Sequence, residues 1–306
     1  MMHSMKVFTN STGATHLYVG TMNWAQGNNG GCQIWRTEDG ETWEQVVDRG
    51  FRDFNGTTFI TRNIYAWSME EFNDKLFVGT WNSGIVDWGC QLWRTSSGVD
   101  DWEKVQLPKN NDTGEFQDGF GERHNYGIRR LVNYSGDLFI GTATSPFQIK
   151  WNGNTEIEAL EVWKYNGTEG WDAWKCIIGD NSGKKSIWDD GFGDEYNKYC
   201  WSMIACNNEL WIGTSNNQYD PDPIIPKYKT KGCEVWYYNG EILTASVKDE
   251  IGEIGNGFGE EWMIGARSMI EFPENSGNII VGTYSIKEPF KPKIEELGCE
   301  VWIRYS

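Results

Sequence analysis

No stretch of this chain of 306 residues approaches the ~18 consecutive apolar residues that a membrane-crossing helix needs, so a membrane span is excluded. The N-terminal string MMHSMKVFTN lacks the apolar core of a secretory signal. Basic residues are scarce: 27 Lys and Arg stand against 44 Asp and Glu, for a net charge of −17. Binding to a phosphate backbone draws mostly on Lys and Arg, so nucleic acid is excluded as a partner. The three histidines, His3, His16 and His124, are scattered, and no Cys-x-x-Cys pair exists, which removes the usual zinc and redox motifs. G-x-S-x-G, P-loop and metal-triad strings are missing as well. Sustained 3.6-residue periodicity is also missing, so helices are expected to be minor.

What the chain has instead is tryptophan, 18 of them, and a repeat. The string [LI]-[YFWI]-[VI]-G-T occurs five times, ending at Thr21, Thr80, Thr142, Thr214 and Thr283, at intervals of 59, 62, 72 and 69 residues. Each copy leads through a polar loop to C-Q-I-W, C-Q-L-W, L-E-V-W or C-E-V-W, ending at Trp35, Trp93, Trp163, Trp236 and Trp302. An apolar segment precedes each Gly-Thr strand and another follows most of the Trp strings. Every unit therefore reads as four short strands bounded by Asn, Asp and Gly turns. Radial repetition of such units protects sheet edges. The expectation is an all-β fold: one domain over 1–306, a five-bladed β-propeller of four-stranded antiparallel blades at about 5–48, 64–106, 126–178, 199–248 and 264–306. The last blade is expected to lack its outer strand.

Cys32, Cys90, Cys233 and Cys299 share one slot of the repeat, and Leu160 fills it in the third copy, so all four are expected as small core residues. A Cys200–Cys206 disulfide stays open. Gln33, Gln91, Glu161, Glu234 and Glu300 recur next to that slot, which suits a repeated internal hydrogen bond.

The turns carry two further signatures. Thr37-Glu38-Asp39-Gly40-Glu41-Thr42-Trp43 resembles the Asp-box of sialidase-like propellers, one residue short of its usual spacing, and Arg94–Trp102 is a degraded copy. In an Asp-box the Asp and Thr side chains bond the hairpin backbone, with the Trp packing beneath. Between units lie Gly50-Phe51, then D-G-F-G at 118–121, D-G-F-G-D at 190–194 and N-G-F-G-E at 256–260. Together these strings are similar to a family of bacterial and archaeal repeat propellers, often surface-associated, and five-bladed tachylectin-type lectins share the architecture. The resemblance implies fold and says little of activity.

Alternating strand direction sends the long loops, including 22–31, 81–89, 143–159, 215–232 and 284–298, to one face. Long loops on a rigid scaffold are where binding concentrates. On the inner strands Trp67, Arg129, Trp201 and Arg267 occupy one slot, expected as an alternating Trp/Arg ring at the channel mouth, and Arg130 follows in the next. Tyr65, Tyr126 and Tyr199 lie just upstream, and Trp24 and Trp81 in or beside the loops. Trp can stack on a sugar or hold a cation, and Arg can grip an anion. The alternative is that the Trp residues pack between blades while the Arg residues pair with acids. Calcium could use the carboxylates in 190–195, or Asp220 with Asp222, through oxygen ligands, although none matches an EF-hand. No other cofactor is implied.

The leading expectation is a non-catalytic propeller binding a glycan or small molecule, and the alternative partner is a protein. The five sequons at Asn10, Asn55, Asn111, Asn133 and Asn166 are compatible with an extracellular or cell-surface setting. A protein-interaction scaffold would use the Pro-rich loops 221–226 and 289–292. A sialidase-like hydrolase would need two acids, for which Glu70, Glu71, Asp87 and Glu122 are available. An Arg cluster could draw on Arg62, Arg129 and Arg267, but the F/Y-R-I-P string of sialidases is missing.

Overall fold

The computed structural model describes residues 2–24, 30–51, 63–82, 89–109, 114–122, 124–145, 149–151, 154–156, 158–179, 186–220, 227–286 and 299–305. The chain is all-β: its described helical segments are single 3-10 turns, and within a repeat successive strands pair antiparallel. No described helix is long and apolar enough to cross a membrane. It divides into two compact units. Unit 1 is Met1–Thr142, Trp163–Lys175 and Asn181–Lys185, and unit 2 is Ala143–Val162, Cys176–Asp180 and Ser186–Ser306.

Unit 1 opens with the meander Met2–Thr9, Thr15–Thr21, Ile34–Thr37 and Glu44–Val47. The second repeat follows as Asn63–Phe72, Lys75–Asn82, Leu92–Thr95 and Glu103–Val105. Asn125–Tyr134 then starts the third. Unit 2 holds the fourth repeat, Asn197–Cys206, Glu209–Asn216, Val235–Tyr238 and Leu243–Val247, and the three strands Gly265–Glu271, Ile279–Tyr284 and Val301–Arg304 of the fifth.

Three repeated devices join neighbouring repeats. The first explains the Gly of Gly-Thr. Ser4, Ser68 and Ser202 on the first strands donate their hydroxyls to the carbonyls of Ala66, Ile128 and Ala266 on the next first strand, at 2.7, 2.9 and 2.6 Å. A Cβ on Gly20, Gly79 or Gly213 would overlap both partners, so only glycine lets the strands approach this closely.

The second explains the Cys slot. The Cys32, Cys90, Leu160 and Cys233 amides donate to Asn63, Asn125, Asn197 and Met263 carbonyls (2.7–2.8 Å). Their own carbonyls accept from Gly50, Gly119, Gly191 and Gly257 (2.7–2.9 Å). The backbone is the junction, and the side chain needs only to be small and apolar. Cys32, Cys90 and Cys233 are buried, and burial pushes the Cys32 and Cys233 thiols upward. Cys299 departs from expectation. It is exposed. Cys200 and Cys206 are buried free thiols.

The third device is the connection itself. Phe51, Phe120, Phe192 and Phe258 stack on Trp93, Trp163, Trp236 and Trp302 of the following repeat, with centroids 4.7–4.8 Å apart and planes within 20°. Each Phe has φ between 57° and 60°, a left-handed conformation costing about 1–2 kcal/mol in an L-residue. Burying a Phe against an indole returns more than that. Equivalent cores form beneath. In unit 1 Phe8, Tyr18, Cys32, Ile34, Phe51 and Val78 pack together, and in unit 2 Cys206, Trp211, Cys233, Val235, Phe258 and Val281 do so.

The Gln/Glu-x-Trp pairs form the repeated bond. Trp35, Trp93, Trp236 and Trp302 donate Nε1 to Gln33, Gln91, Glu234 and Glu300, at 2.8–3.2 Å. In the first hairpin the Asp39 carboxylate accepts from the Thr42 and Glu41 amides at 2.7 and 2.8 Å, and these bonds hold its pKa down to about 2. Trp43 does not pack beneath that turn. It is 40% exposed, whereas Trp102 in the second copy packs edge-on to Phe51 at 5.2 Å.

Candidate functional site

In unit 1, six of the sequence-predicted residues meet. Tyr65 and Trp67 come from one first strand, Trp81 from the strand paired with it, Tyr126 and Arg129 from the next first strand, and Trp24 from the loop of the first repeat. Trp81 touches Tyr65 (4.7 Å between centroids), Trp24 (4.8 Å), Tyr126 (5.5 Å) and Trp67 (5.8 Å). The guanidinium of Arg129 lies 4.7 Å over the Trp67 ring and is 7% exposed. Trp67 fits because the neighbouring strand carries Gly127, where any Cβ would overlap the indole. Burial raises the Tyr65 phenol, opposed by the Trp24 hydrogen bond and the Arg129 charge. Only Trp24 stands well clear, at 52% exposed.

Unit 2 repeats the arrangement in a more open form. Arg267 lies over Trp201 at 5.4 Å and over Tyr284 at 5.5 Å, the two rings are 5.4 Å apart, and Tyr199 is 6.1 Å from Trp201. Gly265 makes the same room for Trp201 that Gly127 makes for Trp67. Here the arginine is exposed and the rings are half-buried. The expected alternation of Trp and Arg around a ring becomes, within each unit, an Arg seated on the Trp of the preceding repeat. Arg130 is half-buried, in the slot where Ser68, Ser202 and Ser268 stand. Tyr284 was not anticipated, but the residue after Gly-Thr was the available signal: Trp81 and Tyr284 share that slot.

Carboxylates recur where each connection enters a first strand. Glu122, Asp194 and Glu260 cap the 3-10 turns, their amides donating to Gly119, Gly191 and Gly257 at 3.0, 3.1 and 3.1 Å. Asp194 is buried, accepts from the Tyr196 amide at 3.0 Å and pairs with Lys231 at 3.2 Å. Asp190 accepts from the Ala159 amide at 2.9 Å. No group of three or more His, Cys, Asp or Glu able to hold a metal occurs among the described residues. Asp87, Arg62, Asp222, both Pro-rich loops and most of the long loops lie outside them. Glu70 pairs with Lys6.

A residue that sequence reasoning passed over is Lys198. It occupies the slot of Ile64, Tyr126 and Ile264, is 1% exposed, and donates to the Glu158 carbonyl at 2.6 Å. Burial lowers its pKa to about 8, against the pull of Glu195, Asp190, Glu158 and Asp194.

No protein-family model matches the chain, and no curated protein matches it. The Asp-box, sialidase-like resemblance is therefore not upheld by a family. Among solved structures the chain is similar to an alpha-L-arabinofuranosidase from Clostridium thermocellum (10% identity, 93% of this chain and 82% of that one, TM-score 0.39). It is similar also to an alpha-L-arabinanase from Cellvibrio cellulosa complexed with arabinohexaose (9%, 93% and 87%, 0.45). A third is a thermostable family-43 glycoside hydrolase (13%, 92% and 84%, 0.43). At such identities and scores, these likenesses assign no activity to this chain. They do correct one expectation: the similar proteins are glycan-cleaving enzymes, and the non-catalytic, lectin-like reading has no counterpart among them.

Proposed function

We propose that the chain acts on glycans as a hydrolase, and that its five repeats are the blades of one β-propeller. The observation that carries the activity is the open platform of unit 2, where half-buried Trp201 and Tyr284 and exposed Arg267 combine flat apolar faces with hydrogen-bond donors. Sugar rings stack on such faces. Glycoside cleavage also needs carboxyl groups as acid, base or nucleophile. Asp194 and Glu260 are the acids we assign, because each ends its connection just before a first strand carrying Trp201 or Arg267 of that platform. Five-fold recurrence of the strand unit, with the same three joining devices, supports the propeller. A scattering profile of two separate lobes would count against it.

The test of the activity is release of reducing ends from a panel of plant and bacterial polysaccharides and aryl glycosides. The wild-type chain is expected to turn over at least one substrate. Asp194→Asn or Glu260→Gln should lower that rate about 100-fold or more with an unchanged circular dichroism spectrum. No turnover on any substrate rejects the hydrolase reading.

A further inference from the structure

We propose that Trp24 in unit 1 is a stacking subsite for an uncharged chain of equatorially linked pyranoses, which rests on the glycan-acting reading above and adds a sugar contact to it. Trp24 stands where the repeat asks for no aromatic ring. Three positions after the Thr of Gly-Thr, the other copies have Ser83, Ser145, Asn217 and Ile286. Its side chain is 52% exposed, more than any other described tryptophan, so it forgoes roughly half the gain of a buried indole. The ring is nevertheless fixed. Met22 bridges to Tyr65, the Asn23 amide donates to the Ile64 carbonyl at 2.9 Å, and the Gly31 amide donates to the Asn23 carbonyl at 3.3 Å. The indole meets Trp81 at 4.8 Å and 76° and Tyr65 at 6.2 Å and 83°. Its Nε1 donates to Met22 Sδ at 2.8 Å.

An indole held in this way, with its N–H already engaged, offers solvent an apolar surface and no donor. The sugar that fits is one with an apolar face of its own. In a pyranose whose hydroxyls and glycosidic bonds are equatorial, the C–H bonds stand axial and the polar groups lie at the rim, where water still reaches them. An axial hydroxyl or linkage would turn a polar group onto the indole and leave it without a partner. A charged sugar finds nothing to hold it. Arg129, the cation of the cluster, is 7% exposed with its guanidinium on Trp67, and the chain carries −17, which repels an anionic polymer at long range. Because the ring is immobilised beforehand, little rotamer freedom is lost on binding. Trp43, 40% exposed on the first hairpin, supplies an exposed indole outside this cluster for contrast.

Isothermal titration of the full chain with cellohexaose, and with maltohexaose as the same sugar in an axial linkage, tests this directly. Cellohexaose should bind at least about 10-fold more tightly, with an affinity that does not fall as salt is raised. Trp24→Ala should weaken that binding about 5-fold or more, and Trp43→Ala should leave it unchanged. Circular dichroism checks the fold of each variant. Trp24→Phe, which keeps a smaller ring in place, should lose only part of the affinity and supplies the measurement if Trp24→Ala unfolds. Equal affinity for the two hexaoses, no binding of either, an affinity that falls with salt, or one that survives loss of the Trp24 ring overturns the proposal. A chain that cleaves glycans without any dependence on Trp24 loses this subsite and keeps the hydrolase reading. Trp24-dependent binding of cellohexaose without cleavage of any glycan keeps the subsite and removes the hydrolase.

Discussion

Trp67 with Arg129 in unit 1, and Trp201 with Arg267 in unit 2, occupy the same slots of the repeat, yet one arginine is enclosed and the other is exposed. The difference runs along the strand: Asn125–Tyr134 is buried over most of its length, whereas Ser268 and Ile270 are exposed beside Arg267, and the adjoining slots differ as well. Where unit 1 has Trp81 after Gly-Thr, the fourth repeat has Ser215, and where unit 1 has Tyr126, the fifth repeat has Ile264. Trp81 alone touches four aromatic rings, and Trp24 caps it, so the unit 1 cluster closes. Ser215 gives no ring to that place. A repeat thus fixes where a side chain is anchored, while its neighbours decide whether it becomes packing or surface.

The largest expected effect separates the two tryptophans. Trp67→Ala should cost about 3–5 kcal/mol in urea unfolding, as a truncation inside a packed cluster. Trp201→Ala should cost about 1–2 kcal/mol, since half its burial is already forgone. Equal losses would erase the contrast between closed and open clusters.

Next comes Lys198, whose apolar slot in other repeats suggests a direct exchange. Its folded pKa of about 8 lies below the ordinary 10.5, so the folded state disfavours the charged form. The resulting cost is fully present below pH 8 and is relieved as pH rises towards 10.5, because over that window the unfolded chain binds more protons. Lys198→Met should therefore stabilise the protein at pH 7 by on the order of 3 kcal/mol and remove that part of the rise in stability between pH 8 and 10.5. A mutant less stable than wild type at pH 7 would mean that the amine's bond to Glu158 outweighs its desolvation.

Gly127→Ala should cost about 1–3 kcal/mol by forcing Trp67 away from a filled cluster. Gly265→Ala should cost less, because Trp201 is half-buried in a smaller cluster, and urea midpoints of the pair measure the difference. Smallest is Arg267→Gln, expected to change stability by under about 1 kcal/mol, as for an exposed cation over a ring. A larger loss would identify Arg267 as packing and sharpen the comparison in the opposite direction.

Much of the architecture was readable from the repeat. The Gly-Thr strands, the small residue at Cys32, Cys90, Leu160 and Cys233, and the Gln/Glu-x-Trp pairs each recur because each makes a bond or contact that every copy needs. Exposure was harder to read. Cys299 carries the string of the buried cysteines, and Trp43 that of a packed Asp-box tryptophan, but burial depends on what covers a residue, which its own motif does not encode. The enclosed and open arginines were indistinguishable for the same reason. Lys198 escaped notice because a single lysine breaks a pattern instead of making one. The forward stacking of Phe120 on Trp163 involves residues 43 apart with no shared string.

That stacking runs one way along the chain. Each D-G-F-G phenylalanine is synthesised before the tryptophan it covers, so as the polypeptide leaves the ribosome every new hairpin emerges to find its clamp already in place. A shortened protein for expression should start at Asp118 or Asp190, keeping the clamp with the repeat it holds, and not at Asn125 or Asn197, where the strands themselves begin.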